Sequence, residues 1–403
     1  MKFPPVLANS LARQSLCGPL GFPQIRRGVV AGLLLLACVA APAGAQTAWN
    51  VEVVDDGSGS KNVGMYTSMV IDRNGNFHIA YHDEGRNAVR YAFRAKNEKK
   101  WHTMLVDAGG NTVSLAVDQA GRPHFAYVGP YEAGLRYAYW DGTRWRKQII
   151  DSERIAFFLS IQLSAQGLPR ISYYHRLWSD GSYALHLKYA QFDGKTWFTE
   201  TVDPQSATGK FNFLALDAMG HPHISYSEVD SGDLRYAYWD GSQWHYSAPD
   251  THRASGGWLG LANCIVLDSA GNPHIAYLAV DHRKVKYARW TGKSWETQVV
   301  DQLVGRADNI DRVSLKLDSK SQPHIVYYDP GLGALKYAAR RNQRWEIERV
   351  DPDPRAGLYP SLGLNEQDQP FVSYYDFAGG ALRFASRRGD SATTLADGKK
   401  EKQ

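Results

Sequence analysis

The densest group of chemically capable side chains in the sequence is His175-Arg176-Leu177-Trp178-Ser179-Asp180-Gly181-Ser182-Tyr183. Two chemistries fit it. An exposed Trp among hydrogen-bonding groups suits a sugar ring, whose C–H face is apolar and whose rim is polar. In that reading Trp178 and Asp180 contact ligand, and Trp258 and Tyr131 complete an aromatic platform. A polysaccharide lyase instead needs a cation for the uronate carboxylate and a base for the α-proton, roles that fall to His175, Arg176 and Tyr183. A second group comprises Asp83, Asp329, Asp376 and Glu228, each two residues after a recurrent Tyr, with His82 and Arg86 flanking the first. Two carboxylates at a set separation can hydrolyse a glycosidic bond. The same residue type at that place also caps a turn. No Gly-rich phosphate loop, Cys-x-x-Cys, His-Glu-x-x-His or Gly-x-Ser-x-Gly occurs, so no cofactor is expected and no metal site is assigned.

The elements that must position these residues repeat. Trp49, Trp101, Trp145, Trp197, Trp244, Trp295 and Trp345 are each followed six residues later by Asp. Tyr81, Tyr127, Tyr173, Tyr226, Tyr277, Tyr327 and Tyr374 each lie nine residues after Asp72, Asp118, Ser164, Asp217, Asp268, Asp318 and Asn365. The mean Trp spacing of about 49 residues matches one propeller blade. Each unit offers four short alternating runs separated by turn residues; in the second copy these are Ser114–Asp118 (A), His124–Val128 (B), Leu135–Trp140 (C) and Trp145–Ile150 (D). Seven A-B-C sets are followed by only six D runs, and the missing one, Trp49–Val54, precedes them all. The expected fold is therefore all-β, a seven-bladed propeller of four antiparallel strands per blade, with the N-terminal strand closing the last blade against Leu382-Arg383-Phe384.

Pro222-His223-Ile224-Ser225-Tyr226, Pro323-His324-Ile325-Val326-Tyr327-Tyr328-Asp329 and Leu335-Lys336-Tyr337-Ala338 resemble a family of secreted propellers built from such repeats. That group is distantly similar to sialidase-like and polysaccharide-lyase propellers. The resemblance implies the fold far more than an activity. Asp141-Gly142-x-x-Trp145 lacks the Ser-x-Asp-x-Gly-x-x-Trp spacing of the sialidase Asp-box, which argues against sialidase chemistry.

Residues present in every blade are expected to be structural, because one site does not need seven copies. His78, His124, His223, His274 and His324 hold one position in five blades and read as hydrogen-bonding groups, not metal ligands. The symmetry breaks elsewhere. From the D-strand Asp to the A-strand Asp position the connection takes 17, 11, 13, 14, 18, 17 and 14 residues, and the one B–C insertion holds His175–Tyr183. D–A and B–C connections share one face of a propeller, so that face is the expected site.

Residues 1–45 carry Arg26-Arg27, an apolar run and Ala43-Gly44-Ala45, the pattern of a signal peptide; Cys38 leaves lipoprotein anchoring as a minor alternative. The expected organisation is a signal peptide at 1–45, the propeller at 46–388 and a disordered polar tail at 389–403. Export to the periplasm or beyond follows, with no membrane span in the mature chain. Of 46 Lys and Arg, four lie in residues 1–45 with no acid, leaving 42 bases against 41 acids, so nucleic acid is not an expected partner. Three functions stay open: a protein that binds a glycan or envelope component, a lyase or glycoside hydrolase using the same face, and a protein-interaction scaffold.

Overall fold

A computed structural model describes residues 49–130, 133–179, 182–204, 207–251, 259–280, 282–305 and 312–388. The signal-peptide and tail assignments lie outside the described residues. β1 (Trp49–Asp55) comes first. Blade one is β2 (Val63–Ile71), β3 (Phe77–Asp83), β4 (Ala88–Arg94) and β5 (His102–Ala108). Blade two is β6 (Asn111–Val117), β7 (Pro123–Val128), β8 (Ala133–Trp140) and the first half of β9 (Trp145–Leu163). The second half of β9, β10 (Pro169–Ser179), β11 (Ser182–Phe192) and β12 (Trp197–Asp203) form blade three. Blade four is β13 (Thr208–Leu216), β14 (Pro222–Glu228), β15 (Leu234–Trp239) and β16 (Trp244–Asp250). Blade five is β17 (Leu259–Leu267), β18 (Pro273–Ala279), β19 (Lys284–Trp290) and β20 (Trp295–Gln302). Blade six is β21 (Ser314–Leu317), β22 (Pro323–Asp329), β23 (Ala334–Arg341) and β24 (Arg344–Arg349). Blade seven is β25 (Ala356–Leu364), β26 (Pro370–Asp376) and β27 (Ala381–Arg387), completed by β1, which pairs antiparallel with β27 from Trp49↔Arg387 to Asp55↔Leu382. The fold is the expected all-β seven-bladed propeller, and among the described residues no helix is long and apolar enough to cross a membrane.

Two local departures from the expected strands concern the third blade. The D strand beginning at Trp145 does not stop at Ile150 but runs on as β9 into the A strand of blade three, fusing two blades into one seven-stranded sheet. Residues 151–159, Asp-Ser-Glu-Arg-Ile-Ala-Phe-Phe-Leu, contain no Gly or Pro to turn the chain. The B–C insertion is not an irregular loop either: β10 and β11 stay paired without a bulge from Arg170↔Gln191 to Ser179↔Ser182.

The repeated residues are the joints between blades. Each D-strand Trp lies 5.2–5.9 Å, mostly edge-on, from the strand C aromatic of the preceding blade, from Trp101 on Phe384 to Trp49 on Tyr337. Each strand B Tyr hydroxyl donates to the D-strand Asp of the preceding blade, as in Tyr127 to Asp107 at 2.8 Å and Tyr81 to Asp55 of β1 at 2.6 Å. A strand C cation completes most of these pairs, Arg383 on Asp351 at 3.1 Å and Lys336 on Asp301 at 2.8 Å among them. A buried Tyr hydroxyl left unpaired would be costly, so burying the ring requires the partner Asp.

A belt of serines joins the inner strands. Ser68, Ser114, Ser314 and Ser361 accept from the backbone N–H of Leu115, Ile161, Leu362 and Met69 in the next blade at 3.1, 3.2, 3.0 and 2.9 Å. Phe213 and Cys264 hold the same position in blades four and five. Ser114→Ala should therefore orphan the buried Ile161 N–H, at a cost of about 1–3 kcal/mol. The expected result is a melting temperature lower by a few degrees with unchanged circular dichroism at 20 °C; an unaltered melt would remove the belt from the account of closure.

Candidate functional site

The inner strands start on the face that carries the D–A and B–C connections, and all but β21 depart there from regular pairing. Register shifts interrupt pairing between Met65 and Ser68, Lys210 and Phe213, Leu261 and Cys264, and Leu358 and Ser361. At these bulges Tyr66, Phe211, Ala262 and Tyr359 adopt φ of 55°, 54°, 50° and 52°, and Thr112 at the equivalent place has φ 35°. Left-handed backbone at bulky residues costs about 1–3 kcal/mol each and persists only where the surroundings enforce it. Gly two positions earlier makes the approach possible: Gly64 has φ 108°, and a Cβ there would come within 2.7 Å of the Leu382 backbone.

These residues are one set. Tyr66, Thr112, Phe158, Phe211, Ala262, Arg312 and Tyr359 each lie six positions before the A-strand Asp position, one per blade, and all seven line a single cavity of about 180 Å³ at the axis. Four are aromatic and one is a cation. Tyr66 and Tyr359 rings are 4.5 Å apart, and Phe158 and Phe211 rings 4.2 Å apart. Arg312 reaches from blade six to blade one, where its Nη1 donates to the Thr67 carbonyl.

The collar is fixed from behind. Asn212 donates to the Phe158 carbonyl at 3.1 Å, Asn263 to the Phe211 carbonyl at 2.7 Å, and Thr67 to the Tyr359 carbonyl at 2.9 Å. Each donor belongs to the blade after the residue it holds. A second tier of rings stands behind the aromatics: His82 at 6.3 Å from Tyr66, Tyr174 at 6.2 Å from Phe158 and Tyr375 at 6.4 Å from Tyr359. Burial holds the His82 imidazole below its ordinary range and pushes the Tyr174 and Tyr375 hydroxyls up to about 12. These rings are neutral at physiological pH, so the charge near the mouth comes from Arg312, from Lys210 beside the Phe211 ring at 5.2 Å, from Arg176 and Asp230 acting on Tyr174, and from Glu84 acting on His82 and Tyr375.

Of the residues singled out in the sequence, His82 and Arg176 therefore approach the mouth. His175 is buried on β10, opposite His186. It follows Tyr174 and precedes Arg176 in an unbroken strand, so His175 and Arg176 point to opposite faces and do not converge on one atom. Trp178 and Tyr183 are register partners across the hairpin, but their side chains lie outside the described residues, as do Asp180, Trp258 and Tyr131 altogether.

The carboxylates are engaged within their own blades. Asp83, buried, accepts from Ser60, from Arg86 N at 3.0 Å and Nη1 at 2.8 Å, and from Arg90 at 3.4 Å. Asp376 accepts from Ala378 N and Gly379 N at 3.0 Å and pairs with Arg383. Asp329 accepts from Gly331 N at 3.2 Å and Lys336 Nζ at 2.8 Å. Glu228 pairs with Arg235 and accepts from Ser231 at 3.0 Å. This is the turn-capping geometry expected of the position. Arg86, partly exposed, is held between Asp83 and the Ser58 carbonyl at 2.9 Å.

The collar escaped the sequence reading, although a signal was present. Aligned by the A-strand Asp, its seven positions read Tyr, Thr, Phe, Phe, Ala, Arg and Tyr, varied in type, with Gly two positions before in five copies and Ser two positions after in five.

No family model and no curated protein matches the sequence. Solved structures do. The polysaccharide lyase Uly1 aligns with TM-score 0.53 at 11% identity, covering 80% of this chain and 90% of its own. An arginine-to-alanine triple mutant of AofleA from Arthrobotrys oligospora aligns with TM-score 0.50 at 13% identity over 77% and 92%. Hydrazine synthase of Kuenenia stuttgartiensis aligns with TM-score 0.53 at 10% identity over 81% and 96%. At such identities the likeness is one of fold, and a fold hosts many activities.

Proposed function

We propose that the protein is an exported binding propeller whose axial collar receives the end unit of a glycan. The observation that carries this is the convergence of seven non-equivalent residues, four of them aromatic, on one cavity at repeat-equivalent positions, five of them in left-handed backbone. Strain maintained at equivalent sites around a cavity points to a preorganised site. Aromatic rings offer stacking to the C–H face of a sugar, and Arg312 offers directed N–H donors to its oxygens. A cavity of about 180 Å³ is below the usual 300–1,000 Å³ of small-molecule pockets, which favours a single ring over an extended chain segment. The polysaccharide lyase among the structural neighbours makes a glycan ligand reasonable for this fold. Binding is preferred to lyase chemistry because alternation along β10 sends His175 and Arg176 to opposite faces.

The test is a glycan array followed by calorimetry on any hit. Tyr359→Ala and Phe211→Ala should each weaken binding about tenfold, equivalent to about 1.4 kcal/mol, with the fold retained, since the equivalent position in blade five is already Ala262 in the same left-handed backbone, φ 50°. Binding undiminished in both variants, or product formation by the wild type with unsaturated uronate absorbance, would overturn this reading.

A further inference from the structure

We infer that the opposite face carries a second ligand site, a groove between blades seven and one that takes an anionic sugar unit. It does not rest on the collar. In five blades the strand B His stands between the strand C Tyr hydroxyl, to which it is hydrogen-bonded, and the A-strand Asp; His78 bridges Tyr91 at 2.7 Å and Asp72 at 3.3 Å, and the other four lie 3.5–3.9 Å from their Asp. Blades three and seven lack this bridge, having Arg170 and Phe371 in place of His. Each of those residues lines an open groove, of about 420 Å³ beside blade three and about 520 Å³ beside blade seven. The larger falls within the size range of small-molecule sites.

A second break in the repeat coincides with that groove. Strand C ends in Trp140, Phe192, Trp239 and Trp290 in blades two to five, each packed on its own blade's Trp. The same position is Arg340, Arg387 and Arg94 in blades six, seven and one. Three neighbours changing alike is a regional feature, not scatter around the ring. Arg94 lies 4.4 Å from Trp101 and 4.8 Å from Phe77, and pairs with Glu52; Phe371 stands 4.9 Å from Phe77, half-buried at the groove. Arg387 pairs with Glu348 at 3.3 Å, and the Asp72 carboxylate is taken up by Asn74 N, Asn76 N and the Asn76 amide. Arg73 and Lys96 remain on the rim, exposed and without an ion-pair partner among the described residues, together with one exposed carboxylate, Glu366, so the unpaired rim charge is one net positive. An aromatic floor under a rim whose two cations outnumber its one unpaired carboxylate fits a ring that carries a carboxylate or sulfate.

Calorimetric titration with D-glucuronate, D-glucose and inorganic sulfate tests this. Glucuronate should bind at least tenfold more tightly than either of the others. Binding should weaken about tenfold in the double variant Arg73→Ala/Lys96→Ala and fall further as salt is raised from 0.05 to 0.5 M, because exposed charges are screened. Both residues are exposed, so the double variant should melt with the wild type, and Tyr359→Ala at the collar should leave glucuronate binding unchanged. Wild-type affinity in the double variant, glucose or sulfate binding as tightly as glucuronate, or loss of binding only in Tyr359→Ala would each overturn the assignment.

Discussion

Deleting residues 46–55 should yield a protein that aggregates or melts more than about 10 °C below the intact chain. The deletion removes β1 and leaves the whole of β27 as an open hydrogen-bonding edge. It removes Trp49, which is 1% exposed and packs edge-on at 5.4 Å against Tyr337 of blade six. Truncating a buried Trp costs about 3–5 kcal/mol by itself. It also removes Asp55, the acceptor of the Tyr81 hydroxyl and the ion-pair partner of Arg90 at 3.6 Å, so a polar group buried in blade one is orphaned as well. Set against a net stability of about 5–15 kcal/mol, the sum is severe. Soluble yield and a thermal melt of the truncated chain are the measurements. A soluble protein with an unchanged melting temperature would mean that β1 does not close the ring.

The contrast between what was and was not legible in the sequence has a physical basis. Closure was legible because a propeller repeats its joints: Trp-to-Asp and Asp-to-Tyr spacings recur because each blade must present the same surface to the next. The Tyr127–Asp107 and Tyr81–Asp55 bonds are the physical content of those spacings. The collar was not legible by the same rule. Tyr66, Phe211 and Tyr359 share a position but not a residue type, and only the bulge two residues past a Gly turns that position toward the axis. Loop length directed attention to the face where the inner strands start, yet to its periphery. The insertion at His175 lengthens a hairpin, whereas the convergent cavity is made by the starts of the inner strands. The continuity of β9 was readable in principle from the missing Gly and Pro after Asp151, but a repeat-based reading assigns every blade the same break there.

The five His bridges should make the protein acid-sensitive well above the pH at which carboxylates protonate. Burial, outweighing the neighbouring Asp, holds His78, His124, His274 and His324 below the ordinary imidazole range and pushes His223 down to about 4. Because the folded value lies below the unfolded one, the unfolded chain binds the proton first as pH falls. Stability is therefore complete above about pH 6.5, declines below it, and stops declining for each His only beneath its folded value. For His223, 8% exposed and held down to about 4, the full loss is about 3 kcal/mol once the pH has fallen below that value. Blade seven supplies a design for the test, since Phe371 and Phe384 occupy the His and Tyr slots there and pack 5.8 Å apart. The double variant His223→Phe/Tyr236→Phe copies that pairing into blade four and removes one titrating group. Urea unfolding between pH 5 and pH 7.5 should show the variant taking up about one proton fewer on unfolding near pH 5 than the wild type, with similar stability at pH 7.5. Equal pH slopes in the two proteins would place the acid sensitivity outside the His bridges.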